Sequence, residues 1–406
     1  MGRRRTAIIT ISALAVVHLA ACAGDAKEET DDAGTASPTA MIDSTATTPA
    51  APDTTVMPDV RAELLIVVEE ATRASASIPG LVLHLEAPGR QIDVSVAAGV
   101  SDRATASPLT PDAGVRIASN TKTFVAAAIL RLVEQGRLRL DAPIADLLAP
   151  ETVDALRADR YRPDVITVRQ VLVHTSGVYD YGTDPAYRAA VNAEPAKRWT
   201  RLEQVRFAMD HGTAVGEPGA VYAYSDTGYI LLGEIPERVT GTPLADAYRA
   251  LLDFEHLHLD ATYLESLEPV PPGVTARAHQ YVGDVDGFDL DPSFDLYGAA
   301  GLVSTVDDLS RFYRALLQGD VFTEPDTLDT MLEIPATNAE SRAGMGIFRI
   351  DVAGNTCWSH SGFWGTFVAT CPQIDVTVAA SWNQAMPAPD FDAERVLGRA
   401  FELASP

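Results

Sequence analysis

Lysine is nearly absent from this chain: only three of its 31 basic residues are lysines, which leaves 28 arginines (31 − 3 = 28). Positive charge as a whole is also scarce, because 56 acidic residues give a formal net charge of −25. Nucleic acids need a basic protein face to neutralise their phosphates, so this composition argues against nucleic-acid binding. The acidic balance indicates a well-solvated surface, on which an acidic substrate would need a local cation.

A hydrophobic run long enough to cross a membrane comfortably is missing from the N-terminus. The basic residues Arg3, Arg4 and Arg5 precede a short apolar stretch that His18 interrupts, which is typical of an export signal. The stretch ends in LAAC, which resembles a bacterial lipobox and implies cleavage before Cys22 and lipidation of that cysteine. A plain secretory signal is the alternative. We therefore expect residues 1–21 to be a signal peptide. The mature protein is then an exported bacterial lipoprotein, held at the periplasmic or extracellular face by the lipid on Cys22 alone.

Residues 22–58 lack an apolar period and consist largely of Thr, Ala, Asp and Pro. Such a composition cannot bury enough surface to offset the entropy of ordering, so it predicts a disordered tether. The catalytic domain is expected over 59–406, with a mostly helical insert over about 140–295.

Cysteine is the third scarcity. With Cys22 assigned to the lipid, Cys357 and Cys371 remain, and an even pair in an exported protein suggests a disulfide. If the strands on either side pair antiparallel about Trp364, each cysteine lies seven positions from that centre and the two face each other. Two free buried thiols are the alternative.

Helical and alternating patterns occur at both ends of the folded part, and no internal repeat is present. They predict an α/β (α+β) fold in which one antiparallel sheet, flanked by helices, is built from both chain ends. The predicted helices are Val60–Ala74, one that carries Lys122 and ends near Gly136, Ser304–Gly319 and Phe391–Leu403. The predicted strands are Leu81–Ala87, Gln91–Gly99, Met345–Val352, Thr356–Ser361, Gly365–Cys371 and Ile374–Trp382.

Lys122 stands three residues after Ser119 at the start of a predicted helix, so the two side chains share a face. Serine is a poor nucleophile without a neighbouring base, and lysine can lose its proton when desolvated whereas arginine cannot. The helix start also favours a developing alkoxide on Ser119. By itself the spacing is equally compatible with a capped helix and a solvated lysine.

The sequence around Ser119, PLTPDAGVRIASNTKTFVAA, resembles the serine β-lactamase-like and D-alanyl-D-alanine carboxypeptidase family, which includes class C β-lactamases and related esterases. The resemblance continues in family order through roughly residues 60–403. The segments that carry it are VLVHTSGVYDY (171–181), YAYSDTGYILLGEI (222–235), GAAGLVSTVDDLSRF (298–312) and SHSGFWG (359–365). It implies the β-lactamase/transpeptidase-like fold.

The resemblance also implies residue roles. Ser119 would be the acylated nucleophile, Lys122 its proton-handling partner, and Tyr224 the general base or proton shuttle. His360, Ser361 and Gly362 occupy the Lys/His-Thr-Gly element on the strand that lines the site. The backbone N–H groups of Ser119 and Phe363 would form the oxyanion hole.

Two positions depart from the family pattern. Asp226 replaces the asparagine of the Tyr-x-Asn element, and an ionised carboxylate can only accept hydrogen bonds where an amide can also donate. Asp226 should favour the charged form of Lys122, which would shift substrate preference or weaken peptidase activity. His360 stands where class C β-lactamases carry lysine, which resembles the carboxypeptidase and aminopeptidase branch more.

Other candidates carry weaker signals. We interpret His174 as structural support for the site and Arg349 as a candidate for gripping a substrate carboxylate. His256, His258 and Asp260 could suggest a metal, but their segment matches a family turn that needs none, and no further ligand cluster lies nearby. The resemblance implies no metal and no organic cofactor, and we expect a monomer.

The expected function is an exported serine hydrolase that works through an acyl-enzyme on peptide or β-lactam-like substrates. D-alanyl-D-alanine carboxypeptidase activity on peptidoglycan stem peptides is the leading prediction. An esterase or β-lactamase of the same superfamily, or a slow penicillin-binding or sensor module, are the alternatives.

Overall fold

The structure is a computed structural model that describes residues 59–385, 387 and 389–404. The predicted signal peptide, Cys22 and the tether lie outside the described residues. No helix in the described ranges combines the length and apolar character needed to cross a membrane.

A seven-stranded sheet forms the centre of the described residues, in the order β3-β2-β1-β12-β11-β10-β9, with every neighbouring pair antiparallel. Two small sheets, β13-β6-β7 and β4-β8-β5, lie beside it. The strands are β1 (Gly80–Ala87), β2 (Ile92–Asp102), β3 (Ser107–Pro108), β4 (Val115–Arg116), β5 (Tyr263–Leu264), β6 (Tyr281–Val282), β7 (Val285–Asp286), β8 (Leu302–Ser304), β9 (Phe348–Val352), β10 (Asn355–Gly362), β11 (Thr366–Cys371), β12 (Val376–Ser381) and β13 (Gln384–Ala385).

The described residues form eleven α-helices, of which α1, α9 and α11 pack on this sheet and others pack on one another. They are α1 (Val60–Ala74), α2 (Thr121–Glu134), α3 (Pro150–Ala158), α4 (Val168–Leu172), α5 (Pro185–Ala193), α6 (Arg201–His211), α7 (Asp226–Thr240), α8 (Leu244–Leu252), α9 (Val306–Gln318), α10 (Pro325–Leu332) and α11 (Ala393–Ala404). The fold class predicted from the sequence is therefore confirmed, and α3–α8 lie in the region predicted as a helical insert.

Side-chain alternation along the strands divides the core in two. Residues such as Val82, Val368 and Ala379 face α2 and α9 and join the larger core. Their neighbours Leu83 and Phe367 face α1 and α11 and form a second core. The active-site candidates lie on the α2 side.

Helix α1 has the bounds that the sequence predicts, and Asp59 caps it by accepting a hydrogen bond from the Ala62 N–H. Helix α9 is capped by Thr305 and ends at Gly319, whose φ of +89° suits glycine. The strand predicted from Met345 begins only at Phe348. The reason is that Gly346 takes a φ of +67°, where an added Cβ would lie 2.6 Å from the Lys122 carbonyl oxygen.

Candidate active site

Ser119 lies on a tight 3-10 turn, Ala118–Asn120, that leads directly into α2. Ala118 has a φ of +46°, a left-handed conformation that costs an L-residue roughly 1–2 kcal/mol. The Asn120 side-chain amide stabilises the turn by donating to the Ile117 carbonyl and to the Thr366 hydroxyl, both at 2.9 Å. These bonds fix the turn that carries Ser119 against β11.

Gly362, at the end of β10, allows this strand to pass close to the same turn. A Cβ at this position would lie 2.2 Å from both the Ile117 carbonyl oxygen and the Thr366 hydroxyl. Only a residue without a side chain fits there, which explains the glycine of the predicted strand element in this chain.

Lys122 is completely buried on the first turn of α2. Its Nζ donates to Ser119 Oγ at 3.1 Å, to Asp226 Oδ1 at 2.6 Å and to the Ala299 carbonyl at 2.6 Å. Three acceptors match the three N–H groups of an ammonium, so the geometry is that of charged lysine. The serine and the lysine that the sequence pairs are therefore in hydrogen-bond contact.

Tyr224 packs beside this pair, with Lys122 Nζ 5.0 Å from the centre of its ring. Its hydroxyl is buried, and no described residue forms a hydrogen bond of good geometry with it, although the Ser119 hydroxyl is close enough to affect its pKa. Burial raises the pKa of Tyr224 well above its ordinary value, and the charge of Asp226 raises it further, while the Ser119 hydroxyl lowers it. Tyr224 is therefore a neutral hydroxyl in the resting site.

His174 supports Tyr224 from behind. The two rings are stacked with their centres 4.4 Å apart, and His174 Nδ1 accepts a hydrogen bond from the Ser225 N–H at 3.1 Å. That bond assigns the ring proton to Nε2. His174 therefore packs behind Tyr224 and binds the backbone at Ser225, and its role in supporting the site stays a prediction.

Two further carboxyl groups lie close to the Lys122–Asp226 pair. The Asp226 N–H at the start of α7 donates to Asp180 Oδ1 at 2.8 Å. Burial, together with the charge of Asp226, raises the pKa of Asp180 to about 6 and that of Asp295 to about 8. Asp180 stands inside the family segment 171–181, but Asp295 belongs to a loop without a recognisable signal.

His360 projects from β10 toward the α2 side of the sheet, since it pairs with Val368. Its Nδ1 donates to the Ser361 carbonyl at 2.7 Å, and its Nε2 is buried without a partner among the described residues. Burial and the charge of Lys122 lower the pKa of His360 to about 3. This position therefore holds a neutral ring at working pH.

The remaining predicted substrate contacts are the two backbone N–H groups of the oxyanion hole and the side chains of Ser361 and Arg349. The backbone N–H groups of Ser119 and Phe363 donate none of the turn and loop hydrogen bonds of the described residues, as an oxyanion hole requires. Ser361 pairs with Phe367, so its side chain points to the face of the sheet opposite to the one that His360 faces. Arg349 pairs with Trp358 on the edge strand β9, and no hydrogen bond or ion pair among the described residues joins it to Ser119. The substrate contacts of Ser361 and Arg349 stay predictions.

The predicted disulfide is present. Cys357 on β10 and Cys371 at the end of β11 are bonded, with their Cα atoms 4.1 Å apart. The β10–β11 register is centred on Trp364, as the sequence analysis assumed.

Most of the chain matches a known protein family. The model of the family described as Beta-lactamase matches residues 67–401. The chain belongs to the beta-lactamase family. It is a serine hydrolase of the superfamily that includes penicillin-binding proteins.

Relatives of this beta-lactamase-family chain carry several activities in their names. Penicillin-binding protein 4 of Amycolatopsis lactamdurans is 32% identical over 310 residues, which cover 72% of each chain. Esterase EstB of Burkholderia gladioli is 36% identical over 160 residues, 38% of this chain and 40% of the esterase. A D-stereospecific amidohydrolase from Streptomyces sp. superposes with a TM-score of 0.71 at 28% identity, covering 84% of this chain and 98% of that one.

Proposed function

We propose that this protein hydrolyses amide bonds of D-residue peptides through an acyl-enzyme on Ser119, with D-alanyl-D-alanine stem peptides as the leading substrate. The observation that carries the proposal is the 3.1 Å contact between Ser119 Oγ and Lys122 Nζ beside the unpartnered Tyr224 hydroxyl. The likeness to a penicillin-binding protein and to a D-stereospecific amidohydrolase supports this substrate class.

The protonation states suggest how the proton moves. Lys122 donates all three of its N–H groups and cannot accept the Ser119 proton, and Tyr224 is neutral. A neutral tyrosine hydroxyl can take the serine proton only while it gives its own proton to the leaving nitrogen. We therefore assign Tyr224 a concerted shuttle in acylation, and Lys122 the stabilisation of the developing alkoxide.

Deacylation uses the same groups in reverse. A water molecule takes the place of the leaving amine and attacks the ester carbonyl. As it attacks, it gives a proton to Tyr224 while Tyr224 gives its own proton to Ser119 Oγ, the leaving group, so the tyrosine stays neutral and the acid product is released. The carbonyl oxygen would receive hydrogen bonds from the backbone N–H groups of Ser119 and Phe363 throughout.

The electrostatics of the site favour a second candidate, hydrolysis of esters or amides that lack a terminal carboxylate. His360 is neutral, the carboxyl groups of Asp226 and Asp295 interact with the lysine, and Asp180 contacts Asp226. The remaining charge of Lys122 is already paired with Asp226. A substrate carboxylate would therefore meet little free positive charge.

A matched substrate pair tests the two candidates. We would compare kcat/KM for an acylated D-Ala-D-Ala peptide with that for the same peptide ending in a carboxamide. A higher value for the free acid supports the carboxypeptidase, and a higher value for the carboxamide supports the second candidate. Intact-mass measurement after incubation with penicillin reports acylation, and Ser119→Ala is the control that must give no adduct. No turnover of either peptide or of a short ester, together with no adduct, would refute the proposed enzyme.

A further inference from the structure

A second group of side chains with metal-ligating chemistry lies far from Ser119, where the β1–β2 hairpin meets α9. Its centre is His84 on β1, which is 1% exposed. In the central sheet His84 pairs with Ala379, Ala379 with Val368, and Val368 with His360. His84 and the active-site residue His360 are therefore three strands apart, a backbone distance of about 14 Å. The group is therefore separate from the active site.

The ring of His84 has one satisfied and one unsatisfied nitrogen. Nδ1 lies 2.8 Å from the Ser95 hydroxyl, whereas Nε2 is buried and has no hydrogen-bond partner among the described residues. Leaving a buried polar atom unpaired costs roughly 1–3 kcal/mol. Because Ser95 fixes the ring and the other nitrogen has no partner in the part of the chain described, we expect Nε2 to bind a group from outside the protein.

Three carboxylates converge on this nitrogen. Glu86 Oε2 lies 3.7 Å from Nε2, and Asp93 Oδ1 and Asp307 Oδ1 each lie 3.9 Å from it. These distances are too long for hydrogen bonds. Donor atoms about 2.0–2.2 Å from a tetrahedral Zn²⁺ stand about 3.3–3.6 Å apart. The ligand atoms of His84, Asp93 and Asp307 all lie within 4.8 Å of one another, so a small closing movement would bring these three to an ion.

The surrounding contacts are those of an oriented metal site. The far nitrogen of His84 is held by Ser95. Glu86 stands beside the group with both oxygens already paired, since Oε2 accepts from the Ser310 hydroxyl at 2.9 Å and Oε1 pairs with Arg314 at 2.8 Å. Arg311 binds Asp307 through Oδ2 at 3.0 Å, which leaves Oδ1 turned toward His84. Partners that fix the ring and the carboxylates in this way are a regular feature of metal centres.

We propose that His84, Asp93 and Asp307 bind one Zn²⁺ ion that ties the β1–β2 hairpin to α9, with water as the remaining ligand. One imidazole and two carboxylates suit Zn²⁺, whereas Ca²⁺ and Mg²⁺ prefer oxygen ligands alone. The ion can enter from solvent because the Asp93 side chain is 77% exposed and that of Asp307 is 42% exposed. The site would be structural, because it lies away from the reacting serine.

Zinc titration of the purified full chain by calorimetry, after treatment with a chelator, tests the proposal. We expect the wild type to bind Zn²⁺ and Asp93→Asn to bind it at least tenfold more weakly. Ser95→Ala should lose about 10–100-fold in affinity, as for other residues that orient a metal ligand. Asp93 is an exposed position, so its replacement should leave the fold intact, which circular dichroism would verify.

A second cluster of the same composition supplies the matched control. His279 lies near Asp102 and Asp286, but its Nδ1 already has a partner, Asp286 Oδ2 at 2.6 Å. His279→Gln should therefore bind Zn²⁺ like the wild type. Equal affinity in the wild type and Asp93→Asn, or loss of binding in His279→Gln alone, would overturn the proposal.

The rival explanation is a protonated His84 held by three carboxylates without metal. In that case the melting temperature of the wild type would not respond to Zn²⁺ or to a chelator, and this result would also overturn the proposal. We expect instead a melting temperature that rises with Zn²⁺ in the wild type and less in Asp93→Asn. Penicillin acylation of Ser119 should be equal in the two proteins, so this test is independent of the proposed function.

Discussion

At the scale of single residues, the contact between Lys122 and Asp226 controls what the active site can do. A Tyr-x-Asn element would place a neutral amide beside the lysine, but here a carboxylate oxygen lies 2.6 Å from Nζ. The ion pair holds the lysine in place and occupies the charge that would otherwise assist the serine. The same carboxylate also raises the pKa values of Tyr224, Asp180 and Asp295.

Asp226→Asn should increase the rate of acylation by penicillin at neutral pH by about tenfold, the equivalent of about 1.4 kcal/mol. The amide oxygen can still accept from Lys122, but it no longer neutralises the ammonium, whose charge is then free to stabilise the alkoxide that develops on Ser119. Stopped-flow or quenched intact-mass kinetics would measure the rate. Asp180→Asn is the control, since Asp180 contacts the Asp226 backbone and not Lys122. An unchanged or slower rate in a folded Asp226→Asn protein would contradict this role.

Residue types and spacing predicted part of this site. Ser119, Lys122, Tyr224 and Asp226 lie together as the family pattern implies, because each belongs to a local motif on a regular element. Asp295 and the Ala299 carbonyl could not be predicted, since a loop brings them to Lys122 by tertiary packing alone. The neutral state of His360 likewise depends on burial, which a single sequence does not report.

At the scale of elements, the site depends on how closely the Ala118–Asn120 turn approaches β10 and β11. Asn120 and Thr366 join the turn to β11, and Gly362 leaves room for it on β10. The sequence predicted these elements well because their apolar periods are long and their caps are recognisable. It misplaced the start of β9, where the left-handed Gly346 interrupts the strand pattern.

Gly362→Ala should reduce penicillin acylation by at least tenfold, because the new methyl group would displace the turn that carries Ser119. Overpacking of this kind costs about 1–3 kcal/mol of stability, so the fold should survive. Gly398→Ala is the matched control: no atom lies within 4 Å of its added Cβ, and the helix α11 should gain about 1 kcal/mol. Full acylation in Gly362→Ala would show that the close approach is not needed.

At the scale of the whole molecule, the two buried histidines contribute one part of the pH dependence of stability. Burial and the charge of Lys122 lower the pKa of both His174 and His360, the latter to about 3. Between pH 6.5 and about 3 these two side chains bind more protons in the unfolded chain than in the folded protein, so their contribution to stability falls as the pH falls. The raised pKa values of Asp180 and Asp295 act in the opposite sense over part of this range.

Relative to the wild type, we expect the free energy of unfolding of His360→Gln in urea to rise as the pH is lowered from 7 to 4.5, because the histidine loses stability over this range and glutamine does not titrate. His256→Gln is the control, since His256 lies in the segment after α8, away from the site. The same pH dependence in His360→Gln and in the wild type would contradict the prediction.

The central sheet joins strands from opposite ends of the folded chain: β1 pairs with β12, almost 300 positions later. The turn that carries Ser119 rests on β10 and β11, which are also late in the sequence. During synthesis, then, the nucleophile emerges long before the strands that support it. A nascent chain that has passed α9 but not β12 would hold Ser119 and Lys122 without a working site, so hydrolytic activity can begin only when the last strands arrive.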